Sequence, residues 1–488
     1  MPQNTESSSG FKPSLGLFDA TMIVAGSMIG SGIFIVSADI TRHVGSAGWL
    51  IAVWLITGFM TLTAALSYGE LSSMFPKAGG QYVYLKEAYN PLAGFLYGWS
   101  FFAVIQTATI AAVGVAFSKF AAYLIPAVSE DNKLLKLQTG IDECYKPVYF
   151  SISAAQLVSI ILIIFLTYTN TKGIKGGKWI QNIFTSTKLL SLFGLIIAGF
   201  IAFNPDIWNA NWSTGWQATE AKLKEVCNPG AGWNITDISG LVLMGGIAAA
   251  MSGSVFSSDA WNNVTFIAGE IKNPKKNIGL SLFMGTLIVT VIYICANLVY
   301  LAVLPLDSIA NAEKDRVAVE ASKVIFGSIG TKVIAVMIMI STFGCNNGLI
   351  LAGARVYNTM ANDGLFFKKA SQLNKNAVPE FALWIQCVVA SLLCLSGKYG
   401  DLLDMISFVV VFFYALTIVG IFILRKKMPH AERPYKAFGY PILPAVYIVL
   451  ALTFCYFLIT MKPVYAGAGA AIVLAGIPIY YFALHNKK

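Results

Sequence analysis

The sequence predicts an all-α membrane protein of about twelve transmembrane helices, and three observations lead there. Of 488 residues, 56% are hydrophobic and only 12% are charged, against roughly 25% charge in a soluble domain. Mean hydropathy is +0.68. Apolar stretches of about 20 residues recur from end to end, each long enough to cross the hydrocarbon core as a helix. A bilayer offers no water to an unpaired backbone, so spans must be helices or a closed barrel. The runs are continuous rather than alternating, which selects helices.

The spans fall near 17–41, 46–73, 92–126, 148–170, 179–203, 239–267, 278–304, 330–361, 378–397, 401–424, 440–461 and 465–484. Residues 1–14 are polar and lack the basic start and cleavage site of a signal peptide, so they read as a cytoplasmic tail. With that end inside, the cytoplasmic segments collect about twenty Lys/Arg, against about twelve in the outer loops. Lys172, Lys175 and Lys178 are among them, as is the run Arg425, Lys426, Lys427, Arg433 and Lys436. This bias places both termini in the cytoplasm of a cell membrane crossed many times. Contact with anionic membrane lipid accounts for the net charge of +10, and no nucleic-acid partner is implied.

Little chain is left for a soluble domain. The outer loops run over 127–147, 204–237 and 305–329, and the last has the spacing of a short helix on the outer face. Segment 76–90 mixes Tyr with Lys and reads as an interfacial cytoplasmic segment. Five of the seven cysteines lie within spans as small packing residues. Cys144 and Cys227 fall in outer loops that face an oxidising compartment, and they are expected to form a disulfide. Asn211-Trp-Ser and Asn234-Ile-Thr fit the glycosylation pattern, which matters in a host that glycosylates.

Two spans are anomalous at corresponding places. Span 1 carries Gly26-Ser-Met-Ile-Gly-Ser-Gly32 at its centre, and span 6 carries Met251-Ser-Gly-Ser254 followed by Ser257, Ser258 and Asp259. Five spans separate the two, so they cross in opposite directions. Gly-interrupted spans at matching positions of two inverted halves are the best sequence pointer to a transporter's binding site. The halves are expected at 15–203 (helices 1–5) and 238–424 (helices 6–10), joined by the loop 204–237 and followed by 425–488 with helices 11 and 12. Each glycine costs roughly 1 kcal/mol relative to Ala in an ordinary helix, although the spacing also suits a helix-packing seam. Unwinding would free N–H groups from about Ser31 to Ile33 for a carboxylate. It would also free carbonyls around Ile23 to Ser27 and Met251 for an ammonium group. An α-amino acid carries both groups on one carbon.

Gly26-Ser-Met-Ile-Gly-Ser-Gly-Ile-Phe34 resembles the first-helix signature of the amino acid–polyamine–organocation (APC) superfamily. Ser254-Val-Phe-Ser-Ser-Asp-Ala-Trp-Asn262 and Ala268-Gly-Glu-Ile-Lys-Asn-Pro274 resemble its L-type amino acid transporter branch. Gly79-Gly-Gln-Tyr-Val-Tyr84, Arg355 to Gly364 and Arg433 to Pro441 add further matches. The resemblance implies a LeuT-like five-plus-five fold with alternating access, and sodium-independent permease or antiport activity on amino acids. It implies that Ile29, Gly30, Ser31 and Gly32 surround the substrate carboxylate, and that carbonyls near Val24, Ala25 and Phe256 hold the amino group. Phe256 stands at the family's gating position, and Asn262 at a polar binding position. Eukaryotic relatives attach a partner glycoprotein through a cysteine where Cys144 lies. Cys227 offers Cys144 an internal partner, so an accessory subunit is not expected.

Asp259 departs from the neutral-substrate pattern, and an intramembrane carboxylate is costly. Three readings stay open: pairing with a cationic side chain, uptake of a proton, or a hydrogen bond to Ser or Asn neighbours. Lys188 is the other intramembrane charge. It either snorkels to the interface or acts as a coupling cation between helices 1, 5 and 8, where relatives with this lysine need no sodium ion.

An enzyme is not expected, nor a cofactor or metal. His43, His430 and His485 lack metal-type spacing, and no phosphate-binding glycine loop appears. The rivals are proton-coupled uptake of cationic amino acids or polyamines, a channel, and a non-transporting sensor. A channel would need a continuous polar pore.

Overall fold

The computed structural model describes residues 13–141, 147–224, 232–396 and 399–485, so both Cys144 and Cys227 lie outside the described residues. Among the described residues, ten helices are long and apolar enough to cross a membrane. Two shorter apolar helices, Leu17–Met28 and Glu380–Leu395, fall on the first and ninth predicted spans. The result is an all-α, multi-spanning bundle.

The first predicted span is divided into α1 (Leu17–Met28) and α2 (Ser37–Val44), with one 3₁₀ turn, Gly32–Phe34, between them. Gly45, at φ +59, ends α2 and turns the chain into α3 (Ala47–Met74). The short helix α4 (Gln81–Ala88) follows, then α5 (Pro91–Ser100), a π-helical turn over Phe101–Ile105, and α6 (Gln106–Ala121). Asn90 caps α5 by accepting from the Ala93 N–H at 2.9 Å, with Pro91 in the first turn. Next come β1 (Lys133–Ile141), β2 (Pro147–Ser153), α7 (Ala154–Thr171) and α8 (Ile174–Ile201). Ser153 and Gln156 form a reciprocal capping box at the start of α7.

The second part opens with α9 (Pro205–Ser213), β3 (Thr219–Leu223) and β4 (Trp233–Asp237). The sixth predicted span is divided into α10 (Gly240–Ser257) and α11 (Asn263–Phe266). Then follow α12 (Pro274–Val303), α13 (Leu306–Ala310), α14 (Val317–Phe326), α15 (Gly330–Asn362), α16 (Glu380–Ser396), α17 (Tyr399–Lys427), α18 (Ile442–Met461) and α19 (Pro463–His485). The helical spacing read in 305–329 is realised in α13 and α14.

The core runs along four packed seams: α3 on α12, α6 on α15, α1 on α12, and α8 on α15. Two antiparallel hairpins are present where no strand is predicted: β3–β4 in the loop 204–237, and β1–β2, whose second strand runs into the predicted fourth span, so that the helix there starts at Ala154 rather than near 148. They share one face of the bundle. The opposite, lysine-rich face is tied by ion pairs. Glu70 accepts from Arg425 through both carboxylate oxygens, at 3.0 and 2.7 Å. Arg355 Nε donates to Glu270 at 3.0 Å, with both residues buried. Lys86 pairs with Asp363 at 2.7 Å.

Two surface readings need correction. Gln81, Tyr82, Val83, Tyr84 and Leu85 of α4 are buried, so this part of 76–90 does not lie on an interface. Gly79 (φ +101) and Gly80 (φ +44) turn α4 inward, and a Cβ on Gly80 would overlap Thr265. Asn211 is also buried. Its amide donates to the carbonyls of Leu301 (2.9 Å) and Leu304 (2.8 Å) and accepts from the Leu306 N–H (2.9 Å). It therefore staples α9 to the end of α12 rather than awaiting a glycan. Asn234 on β4 is exposed.

Candidate functional site

The first helix break is a run of backbone groups divided between donors and acceptors. The last bond of α1 runs from the Ile29 N–H to the Ala25 carbonyl at 3.0 Å, and the next turn begins with Phe34 N–H to Ser31 at 3.1 Å. The N–H groups of Gly30 to Ile33 fall between these two bonds. The carbonyls released by the break are claimed by side chains from three other helices. Lys188 of α8 donates to Gly26 (2.5 Å) and Ile29 (2.8 Å). Cys345 of α15 reaches the Ser27 carbonyl at 3.0 Å. Ser341, also on α15, lies 3.0 Å from the Ile29 carbonyl and 3.1 Å from that of Gly30. Tyr293 of α12 places its hydroxyl 3.1 Å from the Met28 carbonyl. Break 1 thus keeps its acceptors inside the protein.

Two glycines are demanded by close approach. A Cβ on Gly26 would overlap the ends of Gln181 and Thr185. A Cβ on Gly32 would overlap the Ser257 side chain and come within 3.0 Å of its Cα. Gly30 is less confined, with Cys345 Sγ 3.3 Å from the same construction. Val24, Ala25, Ile29, Gly30, Ser31 and Gly32 are all buried.

The second break lies directly against the first. Helix α10 ends at Ser257, and the chain turns through Ala260 at φ +63, a left-handed conformation unusual for alanine. The Phe256 carbonyl accepts from the Asp259 N–H at 3.2 Å. Tyr293 also reaches the Ser257 carbonyl, at 2.9 Å, so one hydroxyl touches both breaks.

Asp259 and Asn262 point into a separate small cavity of about 10 Å³, which Gln81, Tyr97, Gln106 and Tyr414 also line. That is room for about one water molecule. The Tyr414 hydroxyl donates to Asp259 Oδ1 at 2.5 Å. The Asn262 amide donates to Gln81 Oε1 at 3.0 Å, and Gln81 donates onward to Thr417 at 3.0 Å. Neither Phe256 nor any residue of break 1 is in this lining. The predicted site residues therefore form two neighbouring groups, one at the facing breaks and one behind break 2.

A vestibule of about 670 Å³ opens on the hairpin face and reaches Val36 and Gly253, beside the two breaks. Its rim carries Asp39, Lys119, Glu130, Lys314, Asp315 and Arg316. Glu130 lies 3.2 Å from Lys119 and 3.3 Å from Lys314. Burial pushes the Glu130 carboxyl up, but the two ammonium groups outweigh it and hold it below the usual carboxylate range.

Sequence reasoning did not single out Tyr293, Tyr414 or Gln81. Gln81 stands inside the Gly-Gly-Gln-Tyr-Val-Tyr segment, so its signal was present. The tyrosines sit in apolar runs, where a hydroxyl at mid-span is the only sign of a polar task.

An amino acid permease family model matches residues 15–484. Large neutral amino acids transporter small subunit 2 of Homo sapiens is 29% identical over 476 residues, covering 97% of this chain and 81% of the relative. Asc-type amino acid transporter 1 of Mus musculus is 28% identical over 476 residues, with the same coverage of 97% and 81%. Serine/threonine exchanger SteT of Bacillus subtilis (strain 168) is 29% identical over 482 residues, covering 97% of each chain. Two broken spans sit inside a match that runs from residue 15 into α19, and this chain belongs to the amino acid permease family of the APC superfamily.

Proposed function

We propose that this chain exchanges L-amino acids across a cell membrane by alternating access, without sodium, around the facing breaks of spans 1 and 6. The observation that carries the reading is the division of labour at break 1. Its carbonyls from Gly26 to Gly30 are turned onto Lys188, Cys345, Tyr293 and Ser341. The N–H groups of Gly30 to Ile33 stand at the start of the turn that follows, the end of a helical segment that favours a carboxylate. Ile29, Gly30, Ser31 and Gly32 then hold that carboxylate. Carbonyls near Val24, Ala25 and Phe256, each with a second lone pair, receive the ammonium group. The Phe256 ring gates the substrate, and Asp259 and Asn262, which line the small cavity behind break 2, meet its side chain only where that cavity opens to the breaks during transport.

Lys188 supplies the coupling role. Its ammonium already satisfies the carbonyls of Gly26 and Ile29, and a second cation at that point would be repelled at close range. The proposed architecture is two inverted five-helix repeats, 15–203 and 238–424, with 425–488 appended and both termini cytoplasmic. The vestibule on the hairpin face is then the outward entrance, and the ion pairs of the lysine-rich face are the closed inner side. The names of the relatives point to serine, threonine and large neutral amino acids as first substrates to try.

The test is counterflow in proteoliposomes with labelled L-serine, L-leucine and L-arginine, in sodium and in choline buffers. Saturable exchange that is equal in the two buffers is expected. Strong sodium dependence would defeat the proposed role of Lys188, and conductance without saturation would favour a channel. Repeating the panel with Asp259→Gly separates its roles. Selective loss of arginine exchange marks a side-chain partner, whereas equal loss for all substrates marks a structural or proton role.

A further inference from the structure

Hairpin β1–β2 has two unlike faces. Directly opposed residues of antiparallel strands share a face, and the faces alternate along each strand. The register pairs Leu137 with Phe150 and Leu135 with Ile152, which puts four apolar side chains on one side. Lys136 pairs with Ser151 and Gln138 with Tyr149, so those four stand on the other. The second face borders the vestibule, which Tyr149 and Ser151 line and whose edge Phe150 also reaches. On the apolar face Leu135, Leu137 and Phe150 are 42%, 54% and 40% exposed.

The helix that follows the hairpin is short for a span. Helix α7 begins at Ala154, capped by Ser153. Its exposed stripe, Leu157, Ile161, Ile164, Phe165 and Tyr168, has helical spacing and is the lipid-facing side of the fourth span. At the far end Lys172 Nζ stands 4.4 Å from the centre of the Tyr168 ring, and an aromatic with a basic residue marks the level of the headgroups. From Tyr168 to Ala154 the helix rises about 21 Å, about 9 Å less than a hydrocarbon core about 30 Å thick. A strand advances about 3.3 Å per residue, so the chain reaches the other headgroup level about three residues before Ala154, next to Phe150. The missing length is thus the part of β2 that carries the apolar face.

We propose that the apolar face of β1–β2 docks on the acyl chains of the adjacent leaflet, the outer one in the topology above, and completes the fourth span as a paired strand. Backbone hydrogen bonds to β1 let extended chain stand at this depth, where a lone strand would leave its amides bare. The lipid-facing stripe of α7 then continues onto Ile152, Phe150, Leu135 and Leu137. A soluble partner or a second copy on this face would not supply the missing span length. The bilayer also backs one wall of the vestibule, because the opposite face of the same hairpin carries Tyr149 and Ser151.

The experiment reads lipid contact directly and needs no transport activity. Wild-type protein is placed in nanodiscs of phosphatidylcholine with a diazirine near the glycerol end of one acyl chain, irradiated, and mapped by mass spectrometry. Adducts on Leu135, Leu137 and Phe150 are expected within about threefold of those on Leu157 and Ile161, and about tenfold above those on Lys136 and Gln138. A hairpin that stands in water, or is covered by a second copy, would stay unlabelled while α7 is labelled, and either result overturns the proposal. Equal labelling of the two hairpin faces would overturn it as well. Leu135→Ser combined with Leu137→Ser, in the same nanodiscs, is expected to raise amide hydrogen exchange over 148–153 about tenfold and to leave 157–168 unchanged. Unchanged protection over 148–153 in the folded variant would sink the idea, and if the variant does not fold the wild-type labelling decides it.

Discussion

The ammonium group of Lys188 lies 2.5 Å from the carbonyl oxygen of Gly26, at the place where α1 begins to lose its helical bonds. A lysine roughly mid-way along an apolar span does not reach water here, and is instead solvated by three backbone oxygens, those of Gly26, Ile29 and Ser341. Snorkelling is thereby replaced by a fixed internal cation. Replacing Lys188 by Met leaves those oxygens buried without a donor. Exchange is expected to fall about 100-fold in Lys188→Met, from two lost charge-assisted bonds. Radiolabelled uptake into proteoliposomes checks this, and retention of exchange within a factor of three would remove Lys188 from the mechanism.

The glycines of break 1 should not be equally sensitive. Gly32→Ala forces its methyl into Ser257, where the nearby backbone gives no room. Gly30→Ala meets the Cys345 sulfur at 3.3 Å, which can move by a few tenths of an ångström, and otherwise an ordinary contact with Val113 at 3.9 Å. Gly32→Ala is expected to leave at most about a tenth of wild-type exchange, and Gly30→Ala about half or more. Pairing Gly30→Ala with Cys345→Ala should improve the single variant further. The same uptake measurement reports all three.

Arg355 and Glu270 form a buried pair that ties α15 to the turn after break 2. Removing Arg355 alone strands a carboxylate in the protein, and Arg355→Met should destabilise by about 3–5 kcal/mol. Removing both charges, in Arg355→Met with Glu270→Leu, should recover most of that loss. Thermal unfolding in detergent, read as a double-mutant cycle, distinguishes this from simple lost packing, for which the two losses would add.

The vestibule rim should be insensitive to pH near neutrality. Glu130 has its folded-state carboxyl held below the usual range by Lys119 and Lys314. The stability from this pairing is present above the unfolded carboxylate value and is lost only as pH falls through the lower folded value. Hydrogen exchange in segment 310–318 is therefore expected to show equal protection from about pH 5 to about pH 8, after correction for intrinsic rates. Glu130→Gln at about pH 7 should raise exchange there, because Lys314 loses that anchor. Unchanged protection in the variant would mean that the rim is held by other contacts.

Expression in a glycosylating host provides a check on the buried Asn211. Asn234 is the exposed acceptor of the two, so the glycan shift on a gel should vanish in Asn234→Gln and persist in Asn211→Gln if that variant folds. Asn211→Ala should instead cost about 1–3 kcal/mol of stability, from three lost bonds to buried backbone.

The sequence by itself determined the membrane class, the positions of the spans and the two places where spans break. Those follow from local chemistry: apolar length sets a span, and Gly with Ser at mid-span removes the preference for a helix. Tertiary structure alone decided what the freed backbone does. Lys188, Ser341, Cys345 and Tyr293 are far from residues 26–30 along the chain, and only the packing of α8, α12 and α15 against α1 brings them to those carbonyls. The inward turn of α4, which sets Gln81 beside Asn262, was legible only as two glycines whose direction the sequence did not give. The hairpins were not legible, since a short apolar run such as Pro147–Ser153 cannot be told from the start of an adjoining apolar span by its pattern alone. A broken helix is a local property, whereas satisfying its bare dipoles takes partners whose proximity exists only in the folded bundle.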